Sequence, residues 1–195
     1  MIFNSIRNSI NAVIALIFVI AIVTSGFSQN ANSRTRFSAT TANTSSPGDT
    51  VRFDLTRWST DMERDQLFSS LQNSGDMGLL ALLQKAPTIG YIWTTETAGY
   101  PLRYAYQESM ADGTDRIILA IDRQLGSFEP QRWKLSGTAP HTDYPFTVIE
   151  LRITRAGLGE GKASLNTKII ADATAKTIAL ANYAAAPILF QGVKK

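Results

Sequence analysis

The chain predicts a mainly antiparallel β (α+β) domain, a single β-barrel or β-sandwich with two inserted helices, preceded by a signal peptide. Three observations carry that expectation. After Pro87, short segments of β-type residues recur between turn signals for most of the remaining length. Between Thr60 and Ala86 a capped, leucine-bearing stretch has helical character instead. Met1–Ser28 has the basic start, short apolar middle and small-residue end of a secretory leader. Of the two β architectures the barrel is preferred, because mostly sequential strands suit an up-and-down meander.

Arg7 is the only charge before Arg34, Ala12 to Val23 is unbroken apolar sequence, and Thr24-Ser25-Gly26-Phe27-Ser28 follows it. Gly26 and Ser28 fill the two small positions before a cut that leaves Gln29 first. A retained anchor is the alternative, but a spanning helix needs about 20 apolar residues and this run is shorter. The expectation is therefore residues 1–28 as a cleaved signal peptide and a periplasmic or secreted product that meets the membrane only before cleavage.

Composition removes several chemistries. The chain has no cysteine, which excludes a lipidated cysteine, disulfides, thiolate metal sites and cysteine nucleophiles. Its one histidine cannot build a multi-histidine zinc site. No cofactor is expected. The leader carries one of the 19 basic residues and none of the 16 acidic ones, so the formal charge falls from +3 to +2 on cleavage. That is too small to point to a nucleic-acid partner.

Residues 29–49 form a polar N-terminal segment with a first strand at Thr35 to Ala42 and a turn at Ser45-Ser46-Pro47-Gly48-Asp49. Residues 50–195 form the β-rich domain. Val51, Phe53 and Leu55 alternate with Arg52, Asp54 and Thr56, the period of a half-buried strand. The helical pair lies near 60–86. Thr60 and Glu63 form a capping box, Met62, Leu67, Phe68 and Leu71 an apolar stripe, and Asn73-Ser74-Gly75 a stop. Met77 to Lys85 is a second helix ended by Pro87. Strands are then expected at 88–95, 102–108, 116–122, 146–155, 162–171, 177–181 and 187–193, with a long loop at 127–144. If Gly157 to Gly161 is the hairpin loop, Ile149 faces Ile169, Ile153 faces Leu165 and Glu150 faces Lys168.

Motifs for catalysis are weak. Gly157-Leu158-Gly159-Glu160-Gly161-Lys162 lacks the flanking residues of a phosphate loop, since positions 156 and 163 are both alanine. It reads as a turn. His141 beside Asp143 could act as a base, but no Gly-x-Ser-x-Gly elbow or Ser-x-x-Lys motif accompanies it, and a solvated loop histidine is the better reading. Glu96, Glu108, Asp112, Asp115, Glu129, Glu150 and Glu160 are scattered. For a carboxylate-dependent hydrolase, Glu96, Glu108 and Asp143 are the least poor candidates.

Aromatic residues are more suggestive. Tyr91, Trp93, Tyr100, Tyr104 and Tyr106 surround one strand–loop–strand unit, with Leu102, Tyr104 and Tyr106 expected on one face, and Trp133 and Tyr144 lie in the long loop. An apolar ring with a polar tip suits a sugar or amphiphile, although such rings more often fill a core. Arg57-Trp58 and Arg132-Trp133-Lys134 read as cations stacked on indoles near the end of the β structure.

The segments Arg57-Trp58-Ser59-Thr60-Asp61-Met62-Glu63-Arg64-Asp65, Gly90-Tyr91-Ile92, Asp143-Tyr144-Pro145-Phe146-Thr147-Val148-Ile149-Glu150-Leu151-Arg152 and Asn182-Tyr183 resemble exported bacterial proteins of unknown function. The resemblance covers most of the chain after the leader and implies no activity, ligand or catalytic residue.

The function expected is that of an exported, non-catalytic binding module for a small apolar or amphipathic ligand, or for an envelope protein. Tyr91, Trp93, Tyr100, Tyr104, Tyr106 and Trp133 are the candidate ligand contacts. The rivals are the hydrolase and an envelope interaction protein that presents a sheet edge or the Met77–Lys85 helix.

Overall fold

A computed structural model describes residues 34–94, 99–134, 144–165, 167–184 and 188–195. The expected leader, Glu96, His141 and Asp143 lie outside the described residues.

Ten strands and one helix are described: β1 (Thr35–Thr41), β2 (Thr50–Leu55), α1 (Asp61–Lys85), β3 (Gly90–Thr94), β4 (Tyr100–Ser109), β5 (Asp115–Ile121), β6 (Thr147–Ile153), β7 (Leu158–Ala163), β8 (Ile169–Asp172), β9 (Thr177–Leu180) and β10 (Ile188–Lys194). Eight of the strands close into a barrel, the preferred of the two β architectures, in the order β1-β10-β7-β6-β5-β4-β3-β2. Every neighbouring pair is antiparallel. The meander runs in sequence from β1 to β7. Then β8 and β9 leave the barrel as a separate hairpin, and β10 returns to close the gap between β7 and β1. The single strand expected over 162–171 is therefore two, belonging to different sheets.

Alternation explains the wall. Val51, Phe53 and Leu55 are fully buried in the interior while Arg52 is exposed on the other side of the same strand. Phe37, Ile92, Tyr100, Leu102, Leu119, Leu151, Phe190 and Val193 complete the filling from the other strands. An eight-stranded barrel is about wide enough for its own side chains to fill, and here they do. Each end is stopped by a tryptophan. Trp58 follows β2 and packs edge-on to Phe37, and the Ser59 hydroxyl accepts from the Ala105 N–H across that end. At the other end the segment 122–134 folds over the opening, placing Leu125 and Trp133 in the core. Trp133 meets Tyr100 and Phe190 there at 6.4 and 6.1 Å between ring centroids. Arg57 and Arg132 do not carry these indoles as expected; they pair with Glu63 and with Asp49 and Glu129.

The β6–β7 hairpin corrects the expected register. The turn closes at Thr154 to Gly157, so Gly159 and Gly161 belong to β7. Ile149 faces Ala163, Ile153 faces Gly159, and Glu150 faces Lys162 instead of Lys168. A side chain at Gly161 would begin 2.4 Å from Leu151 Cδ2, so the glycine leaves the space that Leu151 occupies inside the barrel.

A second layer covers one side. Leu67, Leu71, Leu79, Leu80 and Leu83 of α1 pack with Ile169, Ile178 and Leu180 of the β8–β9 hairpin onto Tyr104, Ile118, Ala120 and Val148, the outward residues of β4, β5 and β6. The N-terminus of α1 carries the expected capping box, and Arg57 also donates to both Glu63 oxygens, holding that carboxyl below its ordinary range. The two expected helices both lie within α1, which is interrupted at Gly75, in the expected stop Asn73-Ser74-Gly75, by a φ of 63° and ψ of −159° that are non-helical and open chiefly to glycine.

Candidate binding face

The six aromatic residues singled out from the sequence do not meet in one place. Tyr100 and Trp133 are in the barrel interior, where the Tyr100 hydroxyl accepts from the N–H groups of Gly126 and Phe128. The Trp133 indole N–H is buried there without a partner. Tyr104 lies in the outer covered layer, hydrogen-bonded through its hydroxyl to Thr177 of β9 at 2.7 Å. Burial pushes its phenol well above the ordinary tyrosine range, so it stays neutral. Tyr106 sits at the edge of that layer under the Arg64 guanidinium, 5.1 Å from the ring centroid. Only Tyr91 and Trp93 face outward on the uncovered side.

A bulge produces this split. The β4–β5 register shifts between Leu102 and Tyr104, leaving Leu102 inside with Tyr104 outside and Ala105 inside again. Leu102 and Tyr104 thus lie on opposite faces, contrary to expectation. The extra residue, Arg103, pairs with Asp122 and donates to the Ala86 carbonyl just past α1.

The carboxylates are mostly committed. Arg116 on β5 is paired with Glu108, Glu150 and Asp172, and Arg152 also holds Glu150, which has no solvent exposure. Lys162 donates to the Tyr183 carbonyl at 2.7 Å, and both Lys162 and the Arg152 guanidinium lie over the Tyr183 ring, 4.5 and 3.8 Å from its centroid. Burial works against the Arg116 charge, but its carboxylate partners outweigh that and raise its affinity for the proton. Asp172 is likewise opposed by burial, yet hydrogen bonds from Arg116 and from the Ala175 and Thr174 N–H groups hold it below the usual carboxylate range. This cluster fastens the β8–β9 hairpin to the barrel. A carboxylate that is buried and neutralised by two guanidiniums has no path to a substrate. Asp112 accepts from the Thr114 N–H, Asp115 from the Ser109 hydroxyl, and Glu129 pairs with Arg132. No group of three or more His, Asp or Glu residues suited to a metal ion occurs among the described residues.

The uncovered side is different. On β10, β1, β2 and β3 the outward residues include Lys194 and Gln191, then Arg36, Ser38 and Thr40, then Thr50, Arg52 and Asp54, then Tyr91 and Trp93. Tyr91, 40% exposed, leans on Trp93 with ring centroids 5.3 Å apart. A side chain at Gly99 would fall 3.0 Å from the Trp93 ring, so bare backbone lies against the indole. The pair is thus an aromatic step held in place on an otherwise polar wall.

Sequence reasoning found Tyr91 and Trp93 but missed Arg52, Arg36 and Lys194. The alternation in β2 did place Arg52 opposite the apolar face. Nothing in it placed Lys194, distant in sequence, on the same side.

Compared with known proteins, the chain matches no protein family, no curated protein and no solved structure.

Proposed function

We propose that this protein is an exported, non-catalytic binding module that holds an amphipathic, ring-bearing ligand on the open barrel face. The observation that carries the reading is the Tyr91–Trp93 pair, turned outward and braced, while the interior is filled by the protein's own side chains. An aromatic ring beside exposed polar groups is the combination that grips a saccharide or similar molecule, apolar on one face and polar at its rim. The carboxylate-dependent reading has less support, because the buried carboxylates are tied to arginine. The open wall also argues against lipid around the barrel, since Arg36, Ser38, Thr40, Thr50, Arg52 and Asp54 point outward where a membrane barrel presents apolar residues.

The test is a panel titration followed by tryptophan fluorescence and gel retardation, using soluble neutral and acidic polysaccharides and zwitterionic and anionic vesicles. At least one member is expected to bind, and Tyr91→Ala should weaken that binding about tenfold, the scale of one lost stacking contact. Binding to no member, or binding indifferent to Tyr91→Ala, overturns the reading.

A further inference from the structure

The strand registers of the open face align one residue from each strand. Lys194 on β10 faces Ser38 on β1, Ser38 faces Arg52 on β2, and Arg52 faces Trp93 on β3. With neighbouring strands about 4.8 Å apart, this row spans about 14 Å across the barrel. Arg52 and Lys194 are exposed, and neither side chain has an ion pair or hydrogen bond among the described residues. One position along, Arg36 faces Asp54 and Asp54 faces Tyr91. Asp54 is the only carboxylate among the described outward residues of these four strands, and Arg36 already neutralises it. The face therefore carries two free cations in line, hydroxyls between and beside them at Ser38, Thr40 and Thr50, and an aromatic step at one end.

We infer that this row takes an acidic polysaccharide laid across the strands, which rests on the binding-module reading above. One sugar ring stacks its C–H face on Tyr91 and Trp93, and acidic groups further along the chain meet Arg52 and Lys194. Guanidinium and carboxylate match in shape as well as in charge, so Arg52 is suited to a uronate or sulfate group. The alternatives fit less well. A single-stranded nucleic acid stacks successive bases on successive rings, whereas this row has aromatic residues only at its Trp93 end. A lipid surface calls for apolar side chains that enter it, and the wall beside the cations presents hydroxyls.

The experiment is affinity electrophoresis of the purified chain through native gels containing polygalacturonate, dextran sulfate or hydroxyethyl-cellulose, over a range of sodium chloride, with a thymidine oligonucleotide as competitor. The expected result is retardation by an acidic polymer that weakens as salt rises and falls about tenfold or more in the double variant Arg52→Glu with Lys194→Glu. Tyr91→Ala should reduce it independently, which simple charge adsorption would not show. Polygalacturonate and dextran sulfate together tell whether carboxylate or sulfate is preferred. All three substituted side chains are exposed, and an unchanged urea midpoint confirms that the barrel is intact. Equal retardation by hydroxyethyl-cellulose, with no effect of the charge reversals, overturns the acidic ligand and leaves the binding module standing. Tighter binding of the oligonucleotide overturns the choice of polymer. No retardation in any gel overturns the inference, and silence of the whole panel, vesicles included, overturns the module itself.

Discussion

The two sides of this barrel follow one rule of alternation and end in opposite chemistry. On β4, β5 and β6 outward residues are roofed by α1 and the β8–β9 hairpin, and on β10, β1, β2 and β3 they meet solvent. On the covered side Arg116 has three carboxylates, Arg152 has Glu150, and Lys162 on β7 has a carbonyl and the Tyr183 ring. In the open, the Arg52 and Lys194 side chains stand unpaired among the described residues. The difference is one of solvation. A charge away from water costs several kcal/mol unless its partners replace the hydration shell, whereas a charge in water needs no partner and gains little from one. Pairing under the roof therefore reads as structure, and a free cation in the open is available for a ligand.

That comparison can be broken at its strongest point by Arg116→Met, which keeps apolar bulk and leaves Glu150 buried with half its support. A loss of about 3–5 kcal/mol is expected in urea unfolding, the range for a broken buried pair. A loss under about 1 kcal/mol would mean that water reaches the cluster and that the two sides differ less than described. Next is the attachment of the roof itself. Leu83 is fully buried between α1 and the barrel, so Leu83→Ala should cost about 3 kcal/mol by transfer and cavity terms. Hydrogen exchange should show the opening in α1 and β8–β9 before β1 and β2.

A smaller effect is expected from acid. Asp172 is held below the ordinary carboxylate range by Arg116 and two backbone N–H groups, so its contribution is full above the unfolded-state value of about 3.9. That contribution fades as pH falls through the lower folded value. Asp172→Asn keeps an oxygen for the Thr174 and Ala175 N–H groups and removes the charge. Its stability should trail the parent by about 1 kcal/mol at neutral pH, and the gap should close below about pH 4. A gap that does not change with pH would show that the charge contributes nothing. The smallest effect belongs to the open side, where Arg52→Gln should change stability by no more than about 0.5 kcal/mol. A larger change would mean that Arg52 holds the fold together.

The sequence could be read closely where a signal was local. The capping box at Thr60 and Glu63 is where it was expected, and the stop at Asn73-Ser74-Gly75 marks the bend in α1. The β6–β7 register shows the limit. The expected and observed pairings differ by six residues, an even number, so both keep Ile149, Leu151 and Ile153 on the inner face and Glu150 opposite a lysine. A pattern with period two cannot separate registers that preserve its faces. The bulge at Arg103 left no trace either, because an ordinary arginine occupies it, and it moved Tyr104 to the opposite side from Leu102. One hidden residue therefore divided the aromatic group that the sequence had placed together.

What the sequence determined by itself was the alternation of β2, the helix with its cap and break, the absence of cysteine chemistry, and a strand-rich domain. Each depends on residues a few positions apart, where backbone geometry acts directly. What only the tertiary structure decided was the closure of β10 between β7 and β1, the departure of β8 and β9 as a roof, and hence which outward residues meet water. Those outcomes depend on pairings between distant segments, chosen by how much apolar surface the whole chain can bury at once. Closure sets Lys194 in line with Arg52 and Trp93, and the roof leaves that line open.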